Sequence, residues 1–218
     1  MQCDRCRMSA VCHQRYSGRY LCADHLSADI EARAKRVIRQ NHWLVRGDRI
    51  GVFTGMRGSA PLLVFLEKLL KQRSDISIIM LTIPDSRREE SVPGLILSEI
   101  AEETGITRLA LPDTAEDIAV RTLEVLFGNN VDLLLYDAHP GISLPVMQPF
   151  REIPSEELKV YAEHHGVSGV GSKSPGNLWK DPDNPLRNLL STFSSRHPSA
   201  PHALRHYRDH IRLLAEED

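Results

Sequence analysis

Beyond Cys22 this sequence has no thiol. The chain has 218 residues and four cysteines, Cys3, Cys6, Cys12 and Cys22, all at its start. The body therefore holds no pair for a disulfide and no sulfur nucleophile. Long apolar runs are also missing: none approaches the roughly 18 residues that span a bilayer. The opening MQCDRCRMSA is polar and carries an acid, which predicts neither a secretory leader nor a transit peptide. The expectation is a cytoplasmic protein without a membrane partner. Charge of one sign does not dominate, since the formal net charge is −2. That balance conceals an asymmetry: residues 1–49 are formally +5 and the remainder −7. A basic front on an acidic body could contact nucleic acid, or its cations could form a solvated helix face. At 41% hydrophobic and 26% charged, the composition is that of a globular protein, long enough for one α/β domain and a small appendage.

The cysteines are regularly placed. Cys3-x2-Cys6 and Cys22-x2-His25 are separated by fifteen residues. Two short-spaced pairs can each clamp one side of a tetrahedral zinc ion. Between them QRYSGRYLC predicts a hairpin turning at Ser17-Gly18, which would return the second pair to the first. Four protein ligands leave no open position, so the expected zinc is structural and would supply folding energy that so short a segment lacks. Cys12 and His13 are spare candidates, with Cys12 read as a small packed residue. LSADIEARAKRVIRQNHWL predicts a basic helix with Ser27 as N-cap and Ile30, Ala34, Val37 and Ile38 as its apolar stripe.

The body alternates strand and helix. Arg49–Phe53 reads as a strand, Thr54–Ser59 as a small-residue loop, and Leu62–Leu70 as a helix with Pro61 in its first turn. DISIIMLTI reads as a buried strand, LILSEIAEETGI as a helix ended by Gly105, and RLALP as a strand. AEDIAVRTLEVLFGNN reads as a helix and VDLLLYD as a short strand. The fold class expected is α/β, a Rossmann-like doubly wound parallel sheet with a small N-terminal zinc knuckle. Its ligands would sit beyond the carboxyl ends of the strands, at the Thr54–Ser59 loop.

The order of these pieces resembles the tRNA 2-thiolation family of PP-loop ATP pyrophosphatases. The resemblance rests on the Cys3/Cys6/Cys22/His25 knuckle with SGRYLCADH, the basic helix ending VIRQNHWLVRGDRI, PDTAEDIAVRTLEVLFGN, MQPFREIPSEELKVYAEHHGV, and the tail RHPSAPHALRHY. It implies a nucleotide site at a PP-loop reading SGGKDS, where glycines admit backbone N–H groups to pyrophosphate and an Asp helps hold Mg²⁺. Here the matching letters are Thr54-Gly55-Met56-Arg57-Gly58-Ser59. Met56 places a side chain where backbone should meet phosphate, and Gly58 removes the carboxylate. This argues against efficient positioning of Mg-ATP. The nucleotide-binding remnant is Thr54, Gly55, Arg57, Gly58 and Ser59, with Asp113 and Glu116 from the acidic motif. In that motif Pro112 replaces the family's His and Ala115 one of its acids. Acids also suit a helix's first turn for electrostatic reasons alone.

The resemblance further implies sulfur delivery through cysteines, commonly with an iron–sulfur cluster. The link PDSRREESVPG and the later HHGVSGVGSKSPGNLWKDPDNP contain none, and a second, C-terminal knuckle is absent. The expectation is no iron–sulfur cluster, no catalytic residue set, and a non-thiolating scaffold. Its partners would be tRNA, an active thiolation protein, or a second copy as homodimer. The alternatives are a repurposed nucleotide- or phosphate-binding enzyme, or a thiolation subunit whose cysteines come from a partner. His139-Pro140 and His164-His165 are candidate acid–base or metal groups, GSKSPGN at 171–177 reads as a flexible linker or a loop able to hold phosphate, and Arg205, Arg208 and Arg212 as a solvated face or an RNA contact. The expected organisation is a knuckle at 1–27, a connecting helix at 28–47, an α/β domain at 48–166, and a loop with helical tail at 167–218.

Overall fold

The structure is a computed structural model and describes residues 1–54, 56–82, 99–100, 102–130, 132–135, 142–167 and 184–216. Two antiparallel strands come first, β1 (Cys12–Gln14) and β2 (Arg19–Leu21), turning through Gly18 at φ 72°. Helix α1 (Ala23–Gln40) follows directly. Its N-cap is Cys22, in extended conformation, not Ser27. The helix thus begins inside the second ligand pair, and Ser27 lies within its second turn, sharing a 2.9 Å hydrogen bond with His165.

The body is a four-stranded parallel sheet. Its strands are β3 (Arg49–Phe53), β4 (Ser77–Leu81), β5 (Arg108–Ala110) and β6 (Val146–Met147), in the order β4-β3-β5-β6. Between them run α2 (Ser59–Leu70), α3 (Ala115–Phe127) and α4 (Asp132–Leu135); after them come α5 (Ser155–His164), α6 (Pro185–Arg196) and α7 (Ala200–Glu216). VDLLLYD therefore contains a helical turn where a strand was expected. A short apolar run does not distinguish the two by periodicity. Here the Leu133 amide closes a turn onto the Asn130 carbonyl at 2.9 Å, and Leu134 is fully buried. The two-residue β6 carried no sequence signal of its own.

Alternation along the strands divides the core. Ile50 and Val52 of β3 and Ala110 of β5 join Leu26, Ile30, Ala34, Phe65, Phe150 and Tyr161, so α1, α2 and α5 cover one face. Phe53, Leu109 and Leu111 join Leu81, Ile100 and Ile106 on the other. Gly51 sits on that second face because nothing larger fits: a Cβ there would meet Ile106 at 2.5 Å. Going from β3 to β4 and then to β5, on the opposite side of β3, the chain reverses direction across the sheet. That reversal places a crevice between the loops following β3 and β5, the position at which such sheets receive ligands.

Candidate functional site

The two cysteine–histidine pairs converge. Cys3 to Cys6 forms a tight turn, the Cys3 amide donating to Met8 O at 2.9 Å and the Cys6 amide to Cys3 O at 3.3 Å. Asp4 fastens this turn to β2, its carboxylate accepting from the Tyr20 amide at 2.7 Å. Cys22 caps α1 and His25 lies in the first turn, so one helix start presents both ligands of the second pair. The four ligand atoms all lie within 4.8 Å of one another. The Cys22 Sγ–His25 Nδ1 distance is 3.2 Å, Cys3 Sγ–His25 Nδ1 3.5 Å and Cys6 Sγ–Cys22 Sγ 3.8 Å. A tetrahedral ion with bonds of about 2.3 Å to sulfur requires an S–S edge of about 3.8 Å. The donor set therefore fits one metal ion. Burial pushes the Cys3 thiol up, but backbone N–H groups of Cys22 and Arg5 outweigh it and bring it to about 6.

Cys12 stays outside this set. It packs at the edge of the core, and burial, followed by the nearby Glu157 and Glu156 carboxylates, pushes its thiol up to about 11. His13 stacks on Tyr20 with ring centroids 4.2 Å apart.

A buried polar network joins the knuckle to the body, and sequence reasoning missed it. Gln14 Nε2 of β1 donates to Asp29 of α1 and to Glu157 of α5, each at 3.2 Å. Arg33 pairs with both acids, its Nε lying 3.1 Å from Asp29. Arg36 pairs with Glu152 at 2.5 Å and Lys35 with Glu31 at 3.7 Å. Much of the helix's positive charge is thus directed at carboxylates of the same chain. The tail differs from expectation in the same way. Arg205 and Arg208 are buried and Arg212 half-buried, so these residues form no fully solvated face. Arg205 lies 3.2 Å from Glu152 and 2.8 Å from Asp209.

Three side chains of the altered loop, those of Thr54, Met56 and Ser59, turn inward. Thr54 Oγ1 donates to the Leu81 carbonyl at 3.1 Å. Met56, 6% exposed, joins Phe53, Leu81 and Leu111 in the second core cluster. Ser59 Oγ donates to the Phe53 carbonyl at 2.6 Å. Gly58 is left-handed at φ 90°, and a Cβ there would meet Pro112 at 3.0 Å. Above Gly58 the space bounded by Pro112, Thr114 and Arg187 is only about 30 Å³. Gly55 lies outside the described residues, as do His139-Pro140 and 171–177. Arg57 is exposed, at the wall of a larger groove of about 430 Å³ between the knuckle hairpin, the start of α5, and α6.

The acidic motif faces neighbours of its own. Asp113 accepts from Gln148 Nε2 at 2.6 Å and from Arg121 at 3.2 Å. Glu116 accepts the Ser155 amide at 2.9 Å, and burial pushes its carboxyl above the usual range. Asp117 forms a capping box with Thr114 and receives Arg187 at 2.9 Å. Of the other pair, His164 lies 3.2 Å from Asp24 and His165 packs against Tyr161.

Comparisons with known proteins agree with this geometry. Residues 2–27 match the family described as "2-thiouridine synthetase TtuA, N-terminal LIM domain". The tRNA 2-thiolation protein NcsA of Haloferax volcanii is 33% identical over 117 residues, 49% of this chain and 36% of that protein. The chain thus spans about a third of the length of this curated relative. Among solved structures, U34-tRNA thiolase NcsA from Methanococcus maripaludis with its [4Fe-4S] cluster superposes with a TM-score of 0.76 at 14% identity. The match covers 97% of this chain and 87% of that one. This last finding overturns the expectation that no iron–sulfur cluster accompanies the fold. That expectation counted only thiolates beyond Cys22. The matched protein carries such a cluster, and the N-terminal thiolates here form a metal-competent group of their own.

Proposed function

We propose that this chain, related to the tRNA 2-thiolation proteins, is a tRNA-binding protein of the cytoplasm that holds structural zinc through Cys3, Cys6, Cys22 and His25. In this reading its altered PP-loop no longer positions Mg-ATP. The observation that carries the reading is the contrast between four converging ligand atoms and a loop whose Met56 and Ser59 are turned into the protein. Zinc fits the donor set because three thiolates and an imidazole at tetrahedral spacing suit a borderline-soft ion and fill its coordination. When bound, zinc would supply folding energy by clamping the hairpin to α1. The chain's own residues do the rest. Gln14, Asp29, Arg33 and Glu157 orient the knuckle against α5, and the exposed Arg5, Arg7, Arg15 and Arg39 offer cations to phosphates.

Thiolation is not part of this proposal, because three of the chain's four thiols are knuckle ligands and the fourth is packed. If sulfur transfer is retained, the reacting thiols come from another chain, an active thiolation protein or a second copy. The test is anisotropy with a tRNA transcript at moderate salt, combined with affinity capture. The expected result is tRNA binding that weakens as salt rises. Failure to bind tRNA, with no thiolation protein captured, removes the reading.

A second reading is favoured by Arg57 at the 430 Å³ groove: a repurposed nucleotide- or phosphate-binding enzyme. There the remnant residues Thr54, Gly55, Gly58, Ser59, Asp113 and Glu116 would support the site. Calorimetric titration with ATP, AMP and GTP, with and without Mg²⁺, separates the two. Tight binding that Arg57→Ala abolishes selects the enzyme.

A further inference from the structure

The knuckle hairpin is also a wall. Cys12, His13, Gln14, Arg15 and Tyr16 form one side of the groove of about 430 Å³, and the corner where α6 ends and α7 begins forms another. Two contacts join these sides. Arg15 Nη2 donates to the Ser195 carbonyl at 2.8 Å, spanning 180 residues of chain. The Tyr16 and His202 rings lie 4.5 Å apart.

The first contact caps a helix. The last four carbonyls of a helix have no amide partner within it, and a cation suits that end. Ser195 lies next to the last residue of α6, and the knuckle's Arg15 brings it both a donor and a charge. The start of α6 is held differently. Asn184 Nδ2 donates to Glu124 at 2.6 Å and Arg187 meets Asp117 at 2.9 Å, so α3 secures this end. Further along, α7 is secured by the pairs Arg151–Asp209 and Arg205–Glu152. The corner between the two helices therefore leans on the hairpin more than either helix does elsewhere.

The hairpin in turn leans on the metal ligands. β1 and β2 have three residues each, and an isolated pair of strands is marginal in water. β2 runs directly into Cys22. The turn between Cys3 and Cys6 is bonded to β2 twice: the Asp4 amide donates to Tyr20 O at 2.8 Å, and the Asp4 carboxylate accepts the Tyr20 amide at 2.7 Å. Fixing Cys3, Cys6, Cys22 and His25 on one ion thus fixes the hairpin that carries Arg15 and Tyr16.

We infer that metal in the knuckle is a latch on the groove. Loaded, the knuckle supplies one wall of the groove and caps the α6–α7 corner. Stripped, it releases both. Coupling of binding free energies is reciprocal, so whatever steadies the corner also tightens the metal. The inference rests on the reading of the knuckle as a metal site and on neither reading of what the groove holds.

The test follows hydrogen exchange in the full chain, loaded with zinc and after chelation. Exchange at residues 191–202 is expected to quicken about tenfold on chelation, while α3 and residues 187–190 keep their protection. The reciprocal effect is read by competition for zinc against a chromogenic chelator. His202→Ala, on α7 and away from the ligands, should weaken zinc about fivefold. Tyr207→Ser, exposed on the same helix outside the groove, should leave it unchanged. Melting temperatures check the fold of both variants. Unchanged exchange at 191–202 means that the bonds of Gln14 to Asp29 and Glu157 hold the hairpin without metal, and overturns the inference. Loss of protection that spreads through α3, or equal zinc affinity in all three proteins, overturns it too. A wild type that takes up no zinc removes the metal reading and the inference together. Zinc uptake with an unchanged corner removes the inference alone.

Discussion

The knuckle and the loop after β3 are both short, both contain glycine, and both stand at the start of a helix. They differ in where their side chains point. In the knuckle, Cys3, Cys6, Cys22 and His25 aim at one common point within 4.8 Å. In the loop, Thr54, Met56 and Ser59 aim at the protein's own carbonyls and core. Side chains converging on a point leave room for a ligand, whereas side chains satisfied by backbone hold a loop shut. The matched fold spans 97% of the chain and so includes both regions, and it is their geometry that separates them.

The comparison breaks most visibly at the metal. Cys22→Ala should abolish stoichiometric metal and unfold the hairpin, because structural zinc contributes on the order of 10 kcal/mol to such modules. Metal analysis with hydrogen exchange over residues 12–22 reads this; retained metal would remove the four-ligand assignment.

Next in size is the seam between knuckle and body. Glu157→Ala leaves the half-buried Arg33 with Asp29 alone and takes an acceptor from Gln14, and should cost about 1–3 kcal/mol in urea unfolding. A loss under 1 kcal/mol would mean that the knuckle docks without this network.

Gly58→Ala tests the loop. A side chain at φ 90° against Pro112 should cost about 1–2 kcal/mol and leave metal content unchanged. A neutral result would show a loop free to reopen.

The smallest effect concerns pH. Burial, then Arg205 and Arg33, bring His202 down to about 4. Its folded value lies below the ordinary 6.5, so the stabilising contribution is present above about 6.5 and fades as pH falls toward 4. Urea midpoints of His202→Gln should lose part of that pH dependence; identical profiles would show that His202 titrates as in the unfolded chain.

The legible parts of this molecule were those set by short spacings. Cys-x2-Cys and Cys-x2-His located the metal group, and Arg49–Phe53 read correctly as a strand because five alternating or buried residues suffice. The illegible parts depend on partners distant in sequence. Arg33 and Arg205 read as solvent-facing cations because the acids they meet belong to other, distant segments, Glu157 lying 124 residues from Arg33 and Glu152 before α5 while Arg205 is in α7. Met56 was placed against phosphate, since nothing local announces the core formed by Leu81, Ile106 and Leu111. Ser27 read as a cap because the sequence does not show that His25 already belongs to the helix.

His25 joins two timescales of assembly. The Cys3–His25 contact closes over 22 residues, but Gln14 meets Glu157 across 143 and Ser27 meets His165 across 138. During synthesis the metal clasp can close as soon as the first turn of α1 emerges. The polar face behind it, Gln14 with Asp29, then waits in water until α5 has been made. A chain starved of metal would reach that late step with an unformed front edge, and its refolding rate would depend on metal concentration before its final stability did.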